Sequence, residues 1–284
     1  VSWLRNPWGR SRFLPIVVGL YLIWTIIPVA IAVLFAFNDG RSRTTLQGLS
    51  MRWFTSDPTG SVLHDPALQS ALKHTLFLAV VCVGIAVPLG VALALGLQRW
   101  RGHGSGVVNT LMLLPLVTPE IVMGVALLLL FLQIFTFVSL GTWAQIIGQV
   151  TFSVSYVVVI VRGRLVSIGR EYEEAAADLG APARDRLGRV LLPLLAPAIL
   201  ASAAVSFAVS IDDFVITQYL AAGAGTNTVS MLLYATARGA PTPALNALAT
   251  ITLVITLVTL TLAYVVYRRF AGGETATAVA TLET

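Results

Sequence analysis

Three carboxylates stand where an apolar chain has few reasons to keep them. Glu120 follows Pro119 inside an otherwise uncharged run, and Asp212 and Asp213 close a run rich in Ala and Ser. A charged side chain at the centre of a bilayer costs about 2.5 to 3.5 kcal/mol on insertion scales, so one retained there usually faces a cavity or a partner. Two roles are open to Glu120: lining a route for cations, or bracing a break in a helix. Asp212 and Asp213 are neighbours, so on a helix they point about 100° apart and cannot both face one pore. One suits such a route and the other a cap or a pairing; plain solvated acids at a membrane boundary are the alternative. Phe214, Tyr219 and Tyr234 could offer cation-π faces to an amine, or could simply pack.

Other chemistries lack their residues. Seventeen of the 18 basic residues are Arg and the one Lys is Lys73, which excludes a P-loop, whose Gly-rich turn must lead into a phosphate-binding Lys. Gly102, Gly104 and Gly106 form a Gly-rich turn, but it follows a membrane-type helix and reads as a flexible loop. The lone Cys82 allows neither an intrachain disulfide nor a thiolate cluster. His64, His74 and His103 are too dispersed for a metal site, and no Ser, His and acid fall together for hydrolysis. An integral-membrane enzyme using Glu120 and Asp212 as catalytic acids would still need a nucleophile or a metal. No cofactor is expected in this chain.

The elements that must position these residues are set by hydropathy. Of 284 residues 57% are apolar and 11% charged, against about 25% charged in an ordinary soluble domain. The formal charge is +5, yet the basic residues sit in short clusters between long uncharged runs, which points to a bilayer rather than nucleic acid. About 20 apolar residues cross a bilayer as a helix. Runs at 13–38, 75–98, 107–134, 144–161, 194–211 and 246–267 predict six spans, with a hairpin near Thr136 to Thr142, an irregular excursion over 214–246 containing a short helix near 228–237, and a disordered tail over 271–284. The first run is too long for a secretory signal and reads as a retained span. Ala86, Gly90 and Ala94 recur every fourth position, making a ridge on which another helix can pack closely. Pro115 and Pro119 break the third run.

Six spans put both termini on one side. Thirteen basic residues fall on that face (Arg5, Arg10, Arg12, Arg99, Arg101, the six Arg of 162–189, Arg268 and Arg269) and five on the other (Arg41, Arg43, Arg52, Lys73 and Arg238). The positive-inside bias therefore predicts cytoplasmic termini and a cytoplasmic 162–193 loop.

That loop carries the densest signal. Glu171, Glu173 and Glu174 open a helix whose partial positive end favours carboxylates, Ala175 to Ala177 are strong helix formers, and Gly180 can cap it with positive φ. Pro182 restarts a helix in which Leu187, Val190, Leu191 and Leu194 share one face and Arg184, Asp185 and Arg189 the other. The expectation is two short helices joined by a sharp bend; a solvated amphipathic loop is the plainer alternative.

Glu174, Ala175, Ala176, Gly180, Val190, Leu192 and Pro193 closely resemble the cytoplasmic EAA signature of permease subunits in binding-protein-dependent ABC importers, departing from it only in Val190, where the pattern usually has Ile. The resemblance implies an all-α integral membrane fold of the MetI-like type, a single permease domain over 1–284, in a prokaryotic cell membrane. It also implies partners: two ATPase subunits that bind the ATP, a second permease and an extracytoplasmic solute-binding protein. Residues 170–193, with Glu174, Ala175, Ala176, Gly180, Arg184, Asp185 and Pro193 as contacts, would dock on the ATPase. The runs at 113–124, 210–223 and 241–251 look like the spermidine/putrescine class; iron, thiamine and sugar importers share pieces of these runs. For a polycation, the chemistry of their side chains makes Glu120, Asp212, Asp213 and Tyr219 the candidates for the solute path, against the alternatives of bracing, solvated acids and packing.

Overall fold

The computed structural model describes residues 13–42, 44–100, 102–237 and 242–280, and these are helical nearly throughout. Arg5, Arg10, Arg12, Arg43, Arg101, Arg238, Gly239, Pro241 and the last four residues lie outside the described residues. Two compact units are distinguished, one formed by Val1–Pro66 with Thr236–Ile251, the other by Ala67–Ala235 with Thr252–Thr284.

In the first unit α1 (Phe13–Ala36) buries only its last residue, Ala36, and exposes apolar side chains all round, as a helix surrounded by lipid or by another subunit would. The loop that follows is tightly organised. Asn38 is fully buried; its amide donates to the carbonyls of Ser42 and Thr45, its Oδ1 accepts from Gln47 N–H, and its backbone carbonyl accepts from Trp53 Nε1 at 2.6 Å. A π-helical turn, Arg52–Ser56, then sets Asp57 against Arg52 at 2.9 Å. The Thr59 N–H, followed by the Arg52 side chain, the Gly60 N–H and the Thr59 hydroxyl, outweighs burial and holds the Asp57 carboxyl down at about 2.

The second unit is built on α2 (Pro66–Arg99), α5 (Thr142–Ile168) and α8 (Leu192–Asp212). The small-residue ridge on α2 does what its spacing predicts. Ala86 and Ala94 are fully buried, and a Cβ on Gly90 would stand 2.6 Å from the Val157 side chain of α5. Leu78, Cys82 and Leu97 of α2 pack with Ile146, Val150, Val154 and Val158 of α5, while Val157, Val161 and Leu165 meet Leu191 and Leu195. α2 and α5 outrun the expected spans because the uncharged run marks only the apolar middle of each helix.

The third predicted span is not straight. It forms α3 (Ser105–Val117) and α4 (Glu120–Gln133), bent by 111°. Pro119 has no N–H to continue the helix and pushes Thr118 into extended backbone, φ −73° and ψ 131°. By length and composition the described residues hold five helices able to cross a membrane, or six if the bent pair counts as one span. The excursion contains α9 (Val215–Leu220) and α10 (Val229–Ala237), the latter where the short helix was expected. α11 (Pro243–Ala280) runs through most of the segment expected to be a disordered tail.

Candidate functional site

The 170–193 segment folds from local signals. Glu171, Glu173 and Glu174 occupy the first turn of α6 (Glu171–Asp178). Its end is closed by a Schellman arrangement: Gly180 N–H donates to Ala177 O and Ala181 N–H to Ala176 O, with Gly180 at φ +79°. The second element differs from the expected short helix. α7 (Ala183–Asp185) continues through a π-helical turn, Arg186–Leu191, directly into α8. Pro193 cannot donate to Arg189 O, and the ladder shifts to a wider register in which Leu192 N–H donates to Leu187 O. The bend is therefore attached to a helix of 30 residues, Ala183–Asp212.

Within the segment Leu191 is buried at the base, and Leu179 is 90% exposed at the tip. Tyr172, Ala175 and Leu179 share one exposed face of α6. Arg184 is exposed, and Asp185 faces Arg189 at 3.6 Å in a solvated pair worth tenths of a kcal/mol. Glu174 and Ala177 line an open cleft with Arg99, Arg170 and Arg186. Ala176 is half-buried and Pro193 is exposed.

At the other end of α8, roughly 30 Å away for its 21 residues, the two aspartates separate. Asp213 accepts from the N–H groups of Ile216 and Thr217, at 3.1 and 3.2 Å, and so caps α9. Asp212 is exposed. This is the split of roles that adjacency on a helix demands. Glu120, at the first turn of α4 beside the 111° bend, is exposed and within electrostatic reach of Asp213. The Tyr219 ring lies against Gly124 of α4, where a Cβ would come within 2.7 Å of it. Tyr219 thus packs α9 onto α4. Phe214 and Tyr234 face each other with ring centroids 4.2 Å apart.

Sequence reasoning missed the polar seam that holds this arrangement. Gln149 of α5 accepts from Ser210 Oγ at 2.7 Å and donates to Asp213 Oδ2 at 3.1 Å. One turn earlier Gln145 donates to the carbonyls of Thr217 and Thr226 and lies 2.8 Å from His74 Nε2. Also missed was the ion pair between Arg99 and Glu173. These partners are 61 or more positions apart, with nothing in local periodicity to join them.

Among known proteins, the model of the family described as binding-protein-dependent transport system inner membrane component matches residues 86–273. The chain belongs to this family. This inner membrane component is 31% identical over 249 residues to the spermidine/putrescine transport system permease protein PotC of Escherichia coli (strain K12), covering 88% of this chain and 91% of the relative. It is 33% identical over 258 residues to the putrescine transport system permease protein PotI of the same strain, covering 88% and 87%. Its fold is shared with a chain of the bacterial alginate ABC transporter in complex with an alginate pentasaccharide-bound periplasmic protein, with a TM-score of 0.72 at 18% identity over 94% of this chain and 97% of that one. The inner membrane component is thus an ABC importer permease subunit of the MetI-like fold in a bacterial membrane, a transport component rather than an enzyme. Its work is done with other ABC transporter components.

Proposed function

We propose that this permease imports polyamines of the spermidine/putrescine type, with ATP hydrolysed on partner chains. One observation carries the solute class: the relatives PotC and PotI, each matched over most of both chains, are named for these amines. The exposed carboxylates of Glu120 and Asp212, with Asp213 held close by, suit a polycation. In this reading Glu120 and Asp212 line the route, Asp213 fixes the α8–α9 joint, and Tyr219 supports α4.

The 170–193 segment docks on an ATPase subunit and transmits its closure to α8. Support comes from the capped bend at Gly180, the exposed Tyr172, Ala175 and Leu179, and the unbroken run of helix from Ala183 into the span. Glu174, Ala175, Ala176, Arg184 and Asp185 belong to the docking surface; Gly180 and Pro193 shape it. Two ATPase subunits, a second permease and an external solute-binding protein complete the assembly, with the loop of 170–193 and both termini in the cytoplasm.

The test is uptake of labelled putrescine and spermidine by liposomes containing the whole transporter. Gly180→Val places a β-branched residue at φ +79° and is expected to leave membrane insertion intact while separating ATP hydrolysis from uptake. Neutralising Glu120 or Asp212 is expected to lower uptake. Full uptake by the Gly180→Val variant would remove the docking assignment, and full uptake by both neutralised variants would remove the acidic route.

A further inference from the structure

α6 is weakly held. Its eight residues run between two glycines in left-handed backbone, Gly169 at φ +74° and Gly180 at φ +79°, and none of its side chains is fully buried. A cavity of ≈ 150 Å³ lies beside it, lined by Leu95, Arg99, Leu165, Gly169, Glu173 and Leu191, so apolar packing does not fix its position against the bundle. It also packs on the Arg186–Leu191 turn, which belongs to the same bent segment.

Across the cavity reaches one charged tie. Arg99, the last residue of α2, donates through Nη2 to both carboxylate oxygens of Glu173, at 2.7 and 2.9 Å. The α2 end is anchored, because Ala94 and Leu97 are buried against α5 and its neighbours. Both charges are partly solvated, with side chains 53% and 24% exposed, so the pair adds little to global stability. Its effect is positional: it sets where α6 stands between two swivels.

We propose that Arg99 and Glu173 form a latch that makes α6 move as one body with α2, so that motion received at the docking face reaches a second spanning helix besides α8. Neither residue belongs to the matched EAA positions. The latch rests on the docking reading above, and Arg99 and Glu173 act as positioning residues within it.

The test uses the complete transporter in liposomes, with putrescine as the transported probe and ATP inside. Arg99→Glu and Glu173→Arg should each raise the ATP hydrolysed per putrescine imported severalfold, with copurification of the ATPase retained. The double exchange, Arg99→Glu with Glu173→Arg, should restore the wild-type ratio. Wild-type coupling in both single variants overturns the latch, as does a double exchange that stays as impaired as the singles. The docking reading is tested apart by Leu179→Cys, which is expected to crosslink to the ATPase; the native Cys82 is buried and will not compete. Failure of that crosslink overturns the docking reading whatever the charge variants do.

Discussion

Replacing Gln149 with Leu tests whether the polar seam holds the α8–α9 joint in place. Gln149 is 2% exposed, and its carboxamide makes three hydrogen bonds: one accepted from Ser210 Oγ, one donated to Ser210 O at 3.3 Å and one to Asp213 Oδ2. Leucine has a similar volume, so the substitution removes these bonds without opening a large cavity. Hydrogen bonds between membrane helices average about 0.6 kcal/mol, with a maximum of about 1.7. Loss of three therefore comes to about 2 kcal/mol, or about a 30-fold shift in the unfolding equilibrium at 1.36 kcal/mol per decade. The assay is unfolding of the purified permease by SDS in mixed micelles, followed by tryptophan fluorescence. A double-mutant cycle with Ser210→Ala isolates the pair, because Gln149→Leu should already have removed most of what Ser210→Ala removes. A Gln149→Leu permease within about 0.5 kcal/mol of wild type, or strict additivity with Ser210→Ala, would refute the claim that this carboxamide ties α5 to the joint.

Two further outcomes follow from the packing and the charges. Gly90→Val would press a branched side chain into Val157, whose Cβ already lies 2.6 Å from where a Cβ on Gly90 would sit, and should cost about 1 to 3 kcal/mol in the same unfolding assay; an unchanged midpoint would show that α2 and α5 can separate freely. The loop around Asp57 should hold at neutral pH and loosen in acid: its carboxyl is lowered from 3.8 to about 2, so the stabilisation is complete above about pH 4 and is lost as pH falls through about 2. Hydrogen-exchange protection of the Thr59 and Gly60 amides, corrected for intrinsic rates, checks this, and Asp57→Asn should abolish the pH dependence.

What the sequence determines by itself is whatever neighbours along the chain decide. Twenty apolar residues in a row specify a helix long enough for a bilayer, Pro119 specifies a break, and three acids, three alanines and Gly180 specify a short capped helix. These signals are complete within a turn or two, and the structure places the break at Pro119 and the capped helix ending at Gly180 as read, while the 107–134 run becomes two short helices rather than one span. The small-residue ridge of α2 was equally legible as a packing face, though not which helix would fill it. The 111° angle of the break is not written in the order of residues, whereas the start of α2 at Pro66 and the merger of the second loop helix with α8 follow from local proline effects that hydropathy alone passes over. The partners of the charged side chains are likewise set by packing between distant helices. Arg99 and Glu173 are 74 positions apart, and Gln149 and Asp213 are 64 apart. A carboxylate declares that it needs a partner when buried, because an unpaired charge is costly there. Which distant side chain meets it is decided only when helices pack in three dimensions.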